Sequence, residues 1–304
     1  MNRTRVVLPK LILTQKIILC FFLIVCGRIV EADSSESNWQ KTDWEPAFQG
    51  IDTAIGKTDT PRLMRVYAIR IDTKAENIEF YSTPRAEEGF ADNVKETVRH
   101  TVPQFLEQHN LQAAINANFY NPFGVETVRT PGPSNLIGLA VSQGQIVSKN
   151  EKNRPVFLVF KDKRVEIVDV RDTSDPPTDV ETAVAGNCIL VSNGTLSPQT
   201  DEAVHPRTAV GISKNGHYVY FVVIDGRQKK YSEGATYVET GQWLVTFGAW
   251  NGLNLDGGGS TTMAVRTREG QAKVLNVPVG QGNVPNTLWY NGNGLGVRAM
   301  SLAP

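Results

Sequence analysis

The chain has 304 residues, with 31 basic and 31 acidic side chains, a length that fits one large domain or two small ones. Balanced charge with no block of like sign argues against a nucleic-acid partner. Three cysteines are too few for a disulfide framework.

The first 32 residues read as a secretory signal peptide. Arg3, Arg5, Lys10 and Lys16 form a basic flank, Ile17 to Cys26 is an apolar run, and Val30-Glu31-Ala32 offers small residues for cleavage. The run is short for a bilayer span, so an uncleaved anchor is the secondary reading. The expectation is a secreted or cell-envelope protein with no stable membrane span after cleavage. Removal of residues 1–32 takes Cys20 and Cys26 away and leaves a net charge of −4 with one thiol, Cys188, among apolar neighbours. Such a thiol reads as buried and inert.

Residues 33–60 read as a polar, flexible lead-in, with Trp39 and Trp44 in packing roles rather than as carbohydrate platforms. The domain is placed over 61–304. Met64 to Ile71 forms a strand with Tyr67, Ile69 and Ile71 on one face and Met64, Val66 and Ala68 on the other, apolar on both sides and so buried on both. Asn77 to Ser82 is a second strand. Thr101 and Gln104 make a capping box that starts a helix ending near Asn110. Ala113 to Tyr120 is a strand pattern that turns polar at Asn116 and Asn118, which would share one face. Their amides suit sugar hydroxyls or phosphate oxygens, and they also suit the turn before Asn121-Pro122.

Hairpins follow over 135–148, around Gln143-Gly144, and over 156–170, around Lys161-Asp162-Lys163. Asp172 to Asp179, with Pro176-Pro177, reads as a surface loop. Ala183 to Val191 reads as one strand ending at the turn Asn193-Gly194, which is also a glycosylation sequon in a eukaryotic host. His205 to Ile212 passes from polar to strand. The hairpin signal Asn215-Gly216 follows it, and Tyr218 to Ile224 is a strand ending in Asp225-Gly226-Arg227. Thr236 and Glu239 form a second capping box, which assigns Glu239 to capping. Its helix runs to about Trp250. Short strands dominate and no repeat is present, so the fold class is mixed α/β (α+β), sheet-rich, with mixed β-sheets flanked by a few helices.

The stretch Leu253 to Met263 concentrates the chemistry. Leu253 and Leu255 fit a buried strand that delivers Asp256 to a sheet edge, and Gly257, Gly258, Gly259, Ser260 and Thr261 follow at once. A glycine turn of this kind aims backbone N–H groups at an anion, and the hydroxyls add donors. The alternative is a tight turn between strands. The motif lacks the lysine of a phosphate-binding loop, and Ser260 is not centred as in a nucleophile elbow. The four histidines have no ligand spacing. No cofactor is required, and a divalent cation beside Asp225 or Asp256 is left open.

Taken in order, Asn116 to Tyr120, Arg207-Thr208-Ala209, Asp225-Gly226-Arg227, the capped helix with Gly248-Ala249, and Leu255 to Ser260 resemble the phosphodiester glycosidase domain family over about Val66 to Val297. The chain departs from the family at Ala117 and Asn118, where glycines are usual. It departs again at Gly282-Asn283, where an arginine usually precedes the stretch matching Val284 to Leu288.

The resemblance implies a phosphodiester glycosidase-like fold and hydrolysis of a sugar-1-phosphodiester between C1 and the phosphate oxygen, with a glycan or sugar-phosphate as substrate. Arg207 and Arg227 would grip phosphate oxygens. Asp256 is the first choice for the catalytic carboxylate and Asp225 the second, with acid and base roles unassigned. Asn116, Asn118, Thr208, the glycines, Ser260 and Thr261 would bind substrate. Two other readings use the same residues: a non-catalytic glycan- or phosphate-binding module of the envelope, and a polysaccharide hydrolase that does not need phosphate.

Overall fold

The computed structural model describes residues 38–87, 96–122, 124–150, 153–169 and 176–302. The segment read as a signal peptide, residue 170 at the end of the second expected hairpin, and residues 172–175 of the expected surface loop lie outside them. The described residues belong to one compact unit that begins at Asn38. Among them no helix is long and apolar enough to cross a membrane.

The fold is sheet-rich with two α-helices, α1 (Val102–Gln108) and α2 (Tyr237–Phe247). A nine-stranded sheet is built on Ile51–Thr58, Met64–Asp72, Tyr218–Ile224, Arg207–Ile212 and Asn251–Asn254, hydrogen-bonded in that spatial order. Two five-stranded sheets and one three-stranded sheet complete the molecule. Every ladder between named strands is antiparallel, not mixed. The hairpins run straight back on themselves, and neither helix serves as a crossover between parallel neighbours.

Met64–Asp72 explains the layering. Its Tyr67, Ile69 and Ile71 face join Phe80, Phe157, Phe221, Leu253 and Leu255 between the large sheet and its neighbours. Its Met64, Val66 and Ala68 face the other way, onto Trp243, Leu244 and Phe247 of α2. A strand sandwiched on both faces must be apolar on both, as its sequence is. Trp39 stacks on Trp243 at 4.6 Å and Trp44 packs on Phe247 at 5.6 Å, so both tryptophans close the α2 layer. Both helices carry the expected capping boxes, and Glu239 also pairs with Arg62 through both carboxylate oxygens.

Two further expectations are corrected. Residues 40–58, read as part of a lead-in, form three strands of the large sheet. Ile51, Ala54, Gly56 and Thr58 are buried there, a pattern hidden by the polar residues between them. The stretch 183–191 is two strands, Val180–Ala185 and Cys188–Ser192. At Gly186-Asn187 the backbone leaves Pro155 and takes up Asn254, so the chain passes from one sheet to another. Cys188 is half-buried, and its thiol is pushed up to about 11 chiefly by burial.

Candidate functional site

Three strand ends meet at one end of the large sheet, among its interior strands. Arg207 pairs with Ile224 and Ala209 pairs with Asn254. The start of Arg207–Ile212 therefore lies beside the ends of Tyr218–Ile224 and Asn251–Asn254, bringing His205, Arg207, Arg227 and Asp256 to one cleft of about 410 Å³. Tyr237, the first residue of α2, closes one side. Phe119, Tyr120 and Ile137, from the chain beyond the strand Ala113–Asn116, and Trp289 supply an apolar wall.

Asp256 is fixed through its own backbone. Its N–H donates to the Ala117 carbonyl at 2.9 Å, and its carbonyl accepts from the Asn116 amide. Its side chain is half-buried at the cleft. Burial pushes the carboxyl up to about 7, against the Ser260 hydroxyl, which donates to Oδ2 at 2.6 Å, and the Gly257 N–H, both of which favour the ionised form.

The glycines after Asp256 let other groups approach. Gly258 has φ +64, and a side chain there would meet the Arg227 guanidinium. A Cβ on Gly259 would stand 2.5 Å from the Trp289 indole. The expected N–H cradle is mostly closed. The Gly258 N–H donates to Pro206, that of Ser260 to the Gly257 carbonyl and that of Thr261 to the Gly258 carbonyl. The turn shapes the cleft more than it donates to a ligand.

Arg227 reaches the cleft from a left-handed backbone position, φ +58, held by its N–H to the Glu233 carbonyl at 3.0 Å. Its Nη1 donates to Asn283 Oδ1 at 3.2 Å, so one of the two residues at the second family departure buttresses this cation. Its Nη2 lies 3.5 Å from His205 Nδ1. A guanidinium only donates, so Nδ1 accepts and Nε2 carries the proton. Burial, then Arg207 and Arg227, hold the His205 imidazole below its usual range and therefore neutral at pH 7.

Arg207 differs from expectation. Its Nε donates to the Ala235 carbonyl and its Nη2 to the Ala203 carbonyl, while its guanidinium lies 4.0 Å from the Tyr237 ring centre. These contacts replace a free two-nitrogen grip with a fixed positive charge at the wall. Tyr120, whose hydroxyl donates to the Tyr290 carbonyl at 2.8 Å, is held above the usual phenol range by burial and by the Asp256 charge.

Several expected substrate contacts lie elsewhere. Asn116 donates to the Asp256 carbonyl and accepts from the Thr208 hydroxyl at 2.8 Å and the Thr262 N–H at 3.1 Å. Asn118 donates to Leu139 and accepts from the Ala185 N–H and the Asn293 amide. Both are buried and engaged at both ends of the amide, so they bind the protein itself, as does Thr208. Ser260 and Thr261 are buried beneath the turn, outside the cleft lining.

Asp225 is likewise not at the cleft. It accepts from the Val277 N–H through both oxygens, from Asn276 at 2.9 Å and from the Tyr231 hydroxyl at 3.3 Å. Burial still pushes it up to about 6.

Sequence reading did not select His205, Tyr237 or Trp289 for the site. His205 stood two residues before Arg207, Tyr237 stood inside the capping box that starts α2, and Trp289 directly follows the stretch Val284 to Leu288, so each adjoined a motif that gave its own side chain no role. Among the described residues no three His, Cys, Asp or Glu side chains gather as a metal site.

Residues 109–298 match the family model described as phosphodiester glycosidase, more than half of the chain. The protein belongs to that family. No curated protein matches its sequence. Among solved structures, a hypothetical protein from Synechocystis superposes with a TM-score of 0.60 at 15% identity, covering 84% of this chain and 64% of that one. The chain thus spans less than two thirds of that protein's length. The catalytic domain of zebrafish N-acetylglucosamine-1-phosphodiester α-N-acetylglucosaminidase gives 0.59 at 16% identity, with 86% and 88% covered. A Burkholderia pseudomallei protein gives 0.57 at 15%, with 78% and 74% covered. At such identities the likeness establishes the fold.

Proposed function

We propose that this protein is an exported hydrolase that cleaves the C1–oxygen bond of a sugar-1-phosphodiester, releasing free sugar and a phosphomonoester. The observation that supports the reading best is a half-buried carboxyl, Asp256, in one cleft with two guanidinium groups and an aromatic wall. Asp256 is the only carboxylate among the described residues lining that cleft. A zebrafish protein of the same fold acts, by its name, on N-acetylglucosamine-1-phosphodiesters. The basic flank and apolar run at the N-terminus support export.

The chemistry follows from the charges. A phosphodiester carries one negative charge, which Arg227 and Arg207 neutralise. Phosphate leaves readily, so the leaving oxygen needs little protonation, and one carboxylate at the cleft is enough. Ionised Asp256 stabilises the positive charge that develops at C1, as nucleophile or as base for the attacking water. The C1–O electron pair departs on the phosphate, and water supplies the new hydroxyl. Apolar rings such as Trp289 suit the C–H face of a sugar.

The test compares a sugar-1-phosphodiester with the matching aryl glycoside that lacks phosphate. Two charge-assisted contacts predict a kcat/KM at least about 100-fold higher for the phosphodiester. Equal values would instead mark a glycan hydrolase indifferent to phosphate. Binding of both without turnover would mark a binding module.

A further inference from the structure

We infer that Tyr237 contacts the substrate, its hydroxyl held as a hydrogen-bond donor to the phosphodiester by Asn254 and Asn187. The inference rests on the phosphodiester reading above and names a specificity residue for it.

The argument starts at a backbone carbonyl, which can only accept. Asn254 Nδ2 lies 2.7 Å from the Leu255 carbonyl oxygen, which fixes which end of that amide carries the hydrogens. The same Nδ2 lies 2.7 Å from Asn187 Oδ1. Asn187 must therefore present its oxygen to Asn254 and its Nδ2 elsewhere. That Nδ2 lies 2.8 Å from the Tyr237 hydroxyl oxygen and donates to it. A phenol that accepts from this side turns its own proton away from Asn187.

Asn187 and Asn254 are also joined through the backbone, the Asn187 N–H donating to the Asn254 carbonyl at 3.1 Å. Asn254 is buried, and the chain from Leu255 to Tyr237 has no freedom to reverse. Tyr237 lines the cleft, and its ring lies against the Arg207 guanidinium at 4.0 Å. The free O–H thus accompanies a fixed positive charge, the pairing that suits a phosphate oxygen. Asn187 and Asn254 act through Tyr237 and are positioning residues.

The experiment uses the full chain with Tyr237→Phe and Asn187→Asp. It reads KM and kcat for a sugar-1-phosphodiester and the inhibition constants of dimethyl phosphate and of the free sugar. Tyr237→Phe keeps the ring on Arg207 and removes only the hydroxyl. KM and the dimethyl phosphate constant rise about tenfold or more, while the free-sugar constant stays within about twofold. Asn187→Asp accepts the tyrosine proton and turns it from the cleft, so it reproduces the effect with the hydroxyl still present. If either variant fails to fold, the other carries the test.

Unchanged KM and phosphate inhibition in the folded variants overturn the inference and leave the phosphodiester reading intact. A parent enzyme that hydrolyses no sugar-1-phosphodiester overturns both.

Discussion

Asp225 and Asp256 look alike in sequence and behave as opposites in the fold. Each lies just beyond a strand of the large sheet, each precedes a glycine, and burial raises the pKa of each, to about 6 and about 7. Around Asp225 the donors close on both oxygens, from Val277, Asn276 and Tyr231. Tyr231 donates inward, so the Tyr67 hydroxyl donates to Tyr231 in turn, at 2.9 Å. Asn276 also donates to the Thr261 carbonyl and accepts from the Met263 N–H. Asp225 thus ties the end of the glycine turn to the large sheet. Around Asp256 the one side-chain donor is Ser260, and the cleft lies open beside it. A shifted pKa marks both places; only the partner list and the access to space separate support from chemistry.

The largest expected effect comes from Asp256→Asn. It should cut kcat by about 1,000-fold or more while the protein stays folded, as circular dichroism would check. Arg227→Gln removes the cation least committed to the protein and should lower kcat/KM by about 10- to 100-fold, mainly through KM.

Asp225→Asn should instead appear in stability. An amide has one acceptor oxygen where the carboxylate has two, so a buried donor loses its partner. That costs about 2 kcal/mol, a fall in Tm of about 5 °C in a melt, with kcat nearly unchanged. Ser260→Ala removes the hydroxyl that favours ionised Asp256 and should move the acid limb of the pH–rate profile to higher pH, by about one unit or less.

Protonation is read in stability rather than in rate. Both folded pKa values lie above the ordinary 3.8. The stability these groups contribute is complete below 3.8 and is lost as pH rises through about 6 and about 7. The parent's Tm should fall between pH 4 and 8, and Asp256→Asn should flatten the upper part of that fall.

Much of the fold was legible because strand alternation and capping boxes are local. Met64 to Ile71 announced both of its packed faces, and Thr101 and Thr236 announced both helices. The lead-in was missed although Ile51–Thr58 pairs with the next strand, Met64–Asp72, because its buried positions, Ile51, Ala54, Gly56 and Thr58, include only two apolar side chains of any size and do not alternate cleanly. The site was legible where a motif and the cleft coincide, at Asp256, Arg227 and the three glycines. It was not legible at Asn116 and Asn118. Their partners, Leu139, Asp256, Thr208, Thr262, Ala185 and Asn293, lie 21 to 175 positions away, so no local pattern reveals that both amides are already satisfied. Trp289 and Tyr237 reach the cleft only through the packing of Gly259 and Arg207 against them.

The most direct test of the contrast is release of free sugar from a sugar-1-phosphodiester by three purified proteins: the parent, Asp225→Asn and Asp256→Asn. The account predicts turnover by the parent and by folded Asp225→Asn, and none measurable by Asp256→Asn. Turnover by Asp256→Asn at the parent's rate, or its loss in a folded Asp225→Asn with kcat reduced as far as expected for Asp256, would contradict it.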